Sequence, residues 1–336
     1  MRATFVSALA ALVTFAAAAS VALADEPERE GGFLIERDDV QIKPHARVRV
    51  KKVTVDNRLG DVSVVGHDDP GVVVHVVKRG PDGETLDRLK VNLVTDPDGT
   101  ITLGTALMAG EEARPLPARS IRIDVTIEVP RDAHIEVKAW NGKLAVTGVH
   151  AGAQLKAHAA DVAVTDVTGK VSTETTRGNQ KLTSVKGTVS AENTYGEVSL
   201  ESISGDSLAA SVHEGQVIAT RVKSRTVKLR TTFGDIHFTG ELLAGGRYDL
   251  ASYKGNVIVQ LLPPAGEAGG GARKHMALQL DAYARDGAVD SRLELADVTR
   301  PEEGRLVGSF GSTRGKPAML SISSMAGNVS VGLMNE

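Results

Sequence analysis

The sequence predicts an all-β protein, a single-domain β-solenoid of stacked rungs with an N-terminal antiparallel β module and a C-terminal capping segment. Three observations predict it. A glycine-led phrase recurs between Trp140 and Val259: Gly142-Lys-Leu-Ala-Val, Gly178-Asn-Gln-Lys-Leu, Gly196-Glu-Val-Ser-Leu, Gly215-Gln-Val-Ile-Ala, Gly234-Asp-Ile-His-Phe and Gly255-Asn-Val-Ile-Val, with Ala160-Asp-Val-Ala-Val as the missing member. Successive starts are 18, 18, 18, 19, 19 and 21 residues apart, so one supersecondary unit is stacked on copies of itself. Apolar residues alternate with polar ones along each phrase, as half-buried strands require, while helical periodicity is nearly absent.

Residues 1–24 read as a cleaved signal peptide. Arg2 is the positive n-region, Phe5 to Ala19 the apolar h-region, and Ala22-Leu23-Ala24 the cleavage site. The stretch is shorter than the roughly 20 residues a spanning helix needs. No later segment is apolar enough to span a membrane, so the mature chain is expected in the periplasm, at the cell surface or outside the cell. There is no Cys, which excludes a disulfide framework and acylation at a cysteine. Residues 25–39, acidic and glycine-containing, read as a flexible lead-in.

Residues 40–130 read as the N-terminal β module. Val48 to Val55 alternates, Val72 to Val77, Val91 to Thr95, Thr100 to Leu103 and Ile121 to Val129 read as strands, and Pro81-Asp-Gly83 is a turn. Glu84 to Lys90 supports one or two helical turns. Glu111 to Ser120, with two prolines, reads as a loop.

Residues 131–262 carry the rungs. Leu144, Val162, Val198, Val217, Ile236 and Val257 lie two places after the leading residue of their rungs. Val149, Val167, Val185, Ile203, Val222 and Leu262 lie seven places after. Both columns should point inward. Gln180 falls on an inward position and either bonds internally or marks a slip. A fainter beat at half the period, in Gly169-Lys-Val, Gly187-Thr-Val and Gly205-Asp-Ser, implies two strands per coil and disfavours hexapeptide and lyase-type helices. Residues 263–271 form a Gly/Pro-rich loop. Residues 272–336 return to the pattern at Asp286-Gly287 and Gly327-Asn-Val-Ser-Val and close the solenoid.

The phrases NGKLAVTGV (141–149), YGEVSLESISGD (195–206) and FGDIHFTG (233–240) resemble the bacterial putative-adhesin family. So do Ile123-Asp-Val-Thr-Ile-Glu-Val-Pro130 before the first rung and Leu320 to Val331 at the last. The resemblance spans roughly 45 to 332. It implies an exported or membrane-tethered β-solenoid of unknown function and brings no catalytic residues with it.

Composition excludes some functions. The net charge of −3, with both signs mixed along the chain, leaves no basic stripe for nucleic acid. Aromatics are 3% of the chain, too few for an extended stacking platform. No metal motif occurs: His158 and His213 share a column three rungs apart, roughly 14 Å at strand spacing. The Gly-Asp and Gly-Asn corners at Asp61, Asp206, Asp235 and Asn256 could suit calcium, but such residues ordinarily satisfy turn backbone. No cofactor is expected. Glu174 and Glu192 share an outer column, about 5 Å apart at strand spacing, with Lys156 one rung earlier. That spacing admits a retaining glycosidase, but a solvated charge ladder, with Lys156 supporting Glu174, is the preferred reading. No nucleophile motif is present.

Trp140, Tyr195, Phe233 and Tyr253 each sit one or two places before a rung glycine. They either cover bare glycine corners or form a binding strip. The function expected is a non-enzymatic adhesion, scaffold or envelope-interaction module, its partner a protein or glycan of the cell envelope. The alternative is a polysaccharide-acting enzyme using the carboxylate pair.

Overall fold

The computed structural model describes residues 11–13, 17–21, 28–30, 32–44, 49–108, 121–263, 276–311 and 316–334. The loop expected at Glu111–Ser120, residues 264–271 of the Gly/Pro-rich loop and most of the leader lie outside these. Within the leader the backbone is extended at Ala17–Val21, antiparallel to Val40–Pro44. The fold is almost wholly strand, and contacts divide it into two compact units, Met1–Thr168 and Gly169–Glu336.

In the first unit two ladders enclose the core. One runs Leu89–Thr95, Thr100–Leu107, Lys52–Asn57 and the first half of His134–Thr147, then Ala153 onward. The other runs Phe33–Pro44, Val72–Gly80, Arg122–Pro130, Val62–His67 and the second half of His134–Thr147. The expected antiparallel pairs form the outer part. The inner strands are parallel, and Lys52–His67 is itself a rung, placing Gly60 against Gly142.

The lead-in is shorter than expected, because the strand starts at Phe33 instead of Val40. Its inward positions before Val40 hold Glu36 and Asp38, so the charges hide the apolar alternation. The single short helix among the described residues, Gly83–Arg88, is capped by Asp82, whose carboxylate accepts from the Thr85 N–H at 2.7 Å.

The second unit also has two ladders. Lys186–Tyr195, Ser204–Glu214, Lys223–Phe233, Arg247–Lys254 and Ala318–Ala326 follow in parallel, then Ala277–Ala284, then antiparallel Arg305–Gly311 and Ala296–Thr299. Opposite them stack Gln180–Thr183, Val198–Glu201, Val217–Thr220, Ile236–Gly240, Val257–Leu261, Val329–Leu333 and Val289–Ser291. Spatial order therefore departs from chain order. The rung 318–333 lies between 247–261 and 277–291, and the pair 296–299 and 305–311 closes that end.

The changing period has a local cause. Lys186 faces Ser204 but Thr188 faces Ser207, so a bulge at Gly205-Asp206 lengthens the rung by one residue. The next lengthening is the turn Glu241–Gly246, pinned by buried Tyr248, whose hydroxyl donates to Ser224 O at 2.9 Å and accepts from Leu243 N at 2.7 Å. The expected inward columns are buried, with Leu262 as the exception: Leu261 points inward there. Gln180 is buried in register. It accepts from Thr173 Oγ1 and donates to the Glu192 carbonyl, both at 2.6 Å, so it marks no slip.

Glycine at the corners is a steric requirement. A Cβ on Gly196, Gly215, Gly234, Gly255 or Gly327 would stand 2.0–2.3 Å from the carbonyl oxygen of the glycine one rung before. Three residues before the corner, Asn193, Thr231, Ser252 and Ser324 donate side-chain hydrogen bonds to Gly178, Gly215, Gly234 and Gly255 carbonyls at 2.8–2.9 Å. These small polar residues point into the core and satisfy corner carbonyls that the parallel ladder leaves open.

Candidate functional site

The aromatic positions fall in both units. In the first, Trp140 is half exposed and its ring lies 5.4 Å from that of His158, in the facing strand. In the second, Tyr195 faces Glu214, Glu214 faces Phe233, and Phe233 faces Lys254 on successive strands. His213 inserts between the aromatics. Its ring centroid is 6.4 Å from Tyr195 and 5.7 Å from Phe233, edge-on to both. Lys254 Nζ lies 5.4 Å from the Phe233 centroid. Tyr253 is one column over, because its neighbour Lys254 is the residue facing Phe233. The second unit thus presents Tyr195, His213, Phe233 and Lys254 as one row crossing four strands.

Alternation turns His213 and Tyr253 outward, beside inward Val212 and Ser252. Tyr195, Phe233 and Lys254 lie two places after inward Asn193, Thr231 and Ser252 and turn outward because each strand ends there, at its glycine corner. Tyr195, Phe233 and Tyr253 remain 45%, 40% and 50% exposed, so covering the corner accounts for only part of each ring. Each edge-on aromatic contact contributes about 0.5–1.5 kcal/mol and the cation contact about 0.5–1 kcal/mol. Such energies order the row without burying it. The two histidines, too far apart to share a metal, each lie against aromatic rings instead. His158 shares the offset of Trp140, while His213, one column over from Tyr195 and Phe233, reaches both rings.

Beside the row lies a shallow depression of about 270 Å³. Glu174 and Glu192 line it, together with Asn193, Thr194, Ser211 and His213. Both carboxylates are exposed and their neighbours are polar. A glycosidase acid holds its proton in an apolar pocket, which this surface does not provide. Lys156 belongs to the other unit, where it faces Lys138.

The acidic corners have their own work. Asp61 Oδ1 accepts from Lys143 N at 2.7 Å, while Arg122 Nη2 stands 2.9 Å from its Oδ2. Asp235 accepts from Asn256 N at 2.7 Å, Asn256 from Asn328 N and Asn328 from Ala288 N, both at 2.9 Å. Corner Asp and Asn therefore bond the backbone of the adjacent rung. Among the described residues no three His, Asp or Glu converge for a metal ion, and no helix is long and apolar enough to cross a membrane.

Residues 105–264 match the family model described as Toastrack DUF4097. The match bears out the resemblance to the putative-adhesin family and its unknown function. The matched segment contains Trp140, Tyr195, Phe233 and Tyr253 and ends at the second residue of the Gly/Pro-rich loop. The chain is also similar to the crystal structure of a putative cell adhesion protein from Clostridium sporogenes. That pair is 10% identical, with 95% of this chain and 100% of the other covered and a TM-score of 0.22. A putative adhesin from Parabacteroides distasonis is 11% identical, with 88% and 96% covered and a TM-score of 0.37. No curated protein matches the chain.

Proposed function

We propose that this protein is an exported, non-enzymatic adhesion or scaffold module that engages a protein or glycan of the cell envelope through an outer face of its rungs. The observation that carries the proposal is the row Tyr195–His213–Phe233–Lys254, with Tyr253 beside it. Rings that stay 40–50% exposed on a regular ladder keep apolar area available to a partner at little ordering cost. The polar depression alongside supplies hydroxyl and amide groups for orientation. The leader at 1–24 supports export, and the work done by Asp61 and Asp235 in joining rungs supports a scaffold reading of the corners.

The test is binding of the purified mature protein to a glycan array and to isolated envelope proteins. A Tyr195→Ser/Phe233→Ser double variant should lose at least tenfold in affinity while keeping native far-UV circular dichroism, its unfolding midpoint lowered only by the lost ring and cation contacts. Turnover of any polysaccharide that disappears in Glu174→Gln or Glu192→Gln would overturn the non-enzymatic reading.

A further inference from the structure

The first unit holds a buried cluster that the proposed function does not use. Strand Phe33–Pro44 lies antiparallel to Val72–Gly80, with Glu36 directly opposite Lys78 and Asp38 opposite Val76. Glu36, Asp38 and Lys78 all point into the interior, with side chains 5%, 2% and 4% exposed. Lys78 Nζ stands 2.8 Å from Glu36 Oε1 and donates a hydrogen bond to it. The same nitrogen stands 2.9 Å from Asp38 Oδ2, yet out of line for a hydrogen bond, so that buried oxygen has no hydrogen-bond partner. Val40 and Val76 are buried beside them, and the helix Gly83–Arg88 packs on both strands.

Two carboxylates against one amine are a poor choice for stability alone. Burial costs each charge its hydration, and one negative charge is left over. The same arrangement suits a condensation, with an amine in contact with a carboxyl group, a second carboxylate on the amine, and little bulk water to favour hydrolysis.

We propose that Lys78 and Asp38 join as an intramolecular isopeptide bond, with Glu36 as the proton carrier. Lys78 passes a proton to Asp38, giving a neutral amine and a carboxylic acid. The Nζ lone pair attacks Asp38 Cγ and forms the C–N bond. Glu36 takes the proton that the nitrogen sheds and delivers it to the departing hydroxyl, which leaves as water. The product is one amide and one water, Glu36 returns to its carboxylate, and no oxidant or cofactor is consumed.

Burial acts to lower the Lys78 pKa, but its hydrogen bond to Glu36 and the two carboxylate charges outweigh burial and the net direction is upward. The amine therefore holds its proton firmly, and passing it to the touching Asp38 carboxylate is the uphill opening step. The bond would clamp two strands of the outer sheet across a loop that includes the first rung.

Mass spectrometry of the purified full chain, its N-terminus assigned by fragmentation, tests the proposal. The denatured protein should be lighter than its sequence by one water. Trypsin should release a branched peptide joining 38–47 to 59–79, because Arg37 separates Asp38 from Glu36. Glu36→Gln should restore the full mass in a protein with unchanged circular dichroism. Wild-type protein of full mass, with native circular dichroism, overturns the proposal whatever the variants do. Linkage through peptide 30–37 overturns the roles given to the two acids, and a bond that persists in Glu36→Gln overturns the proton carrier.

Discussion

Gly215→Ala isolates the corner sterics. Gly215 has φ +142°, and an added Cβ would lie 2.1 Å from Gly196 O and 2.7 Å from its carbonyl carbon. Real Cβ contacts stay above 3.0 Å, so the rungs must part there by about 0.9 Å. The hydrogen bonds Gly196 N to Glu214 O and Val198 N to Gln216 O, each 3.0 Å, span that step. Stretching both beyond bonding range costs about 0.5–1.5 kcal/mol each. The φ itself costs a non-glycine residue about 1–3 kcal/mol. The expected loss is about 2–6 kcal/mol.

Two controls sit in the same unit. Gly245, at φ +67°, would meet only the flexible Lys316 side chain, so Gly245→Ala should lose about 1–2 kcal/mol. Gly332 has ordinary space and no positive φ, and Gly332→Ala should be neutral or gain about 0.5–1 kcal/mol. Urea unfolding followed by far-UV circular dichroism ranks the three. A Gly215→Ala loss no greater than that of Gly245→Ala refutes the contact between corners as the reason for glycine.

Gln180→Leu leaves the Thr173 hydroxyl and Glu192 carbonyl unpaired in the core and should cost about 1–3 kcal/mol by urea unfolding. Tyr248→Phe should cost a similar amount, about 1–3 kcal/mol, through the Ser224 carbonyl and Leu243 N–H. Burial pushes the Tyr248 phenol above its ordinary value of 10, so its stabilising effect is complete below pH 10 and is lost as pH rises through the folded value. Urea midpoints on either side of pH 10 should fall more steeply for wild type than for Tyr248→Phe. Asp82→Ala removes a helix cap and should cost about 0.5–2 kcal/mol. Hydrogen bonds from Thr85 lower the Asp82 pKa below 3.8, so the cap acts above that pH and fades as pH falls through the folded value. Asp82→Asn should keep the cap and lose this acid dependence, read from unfolding midpoints across that range.

The rungs were legible because each repeats a demand that only one residue type meets. Glycine is required where corner backbones touch, and Val or Ile fits a narrow core. The aromatic positions were visible by their offset from the glycine, but their ring partners were not, since His213 reaches both Tyr195 and Phe233 only across strands. Non-local parallel pairing hid the rest. Asp61 bonds Lys143 across 82 residues and Asn256 bonds Asn328 across 72, so the first and last rungs meet neighbours that no local period links. Asn193, Thr231 and Ser252 look like breaks in an apolar column until the carbonyls they satisfy are seen. Glu36, Asp38 and Lys78 mask a strand because they are charged where alternation calls for an apolar residue.

The inverted placement of the rung at 318–333 sets a timetable. As the chain emerges, rungs through 261 can add one after another, each on its predecessor. The next place in the stack stays vacant until residues 318–333 arrive, and residues 277–291 have no edge to join before then. Closing such a distant contact is entropically slow. A chain truncated before Ala318 should therefore lose two rungs together and leave the Arg247–Leu261 edge open to pairing with other chains.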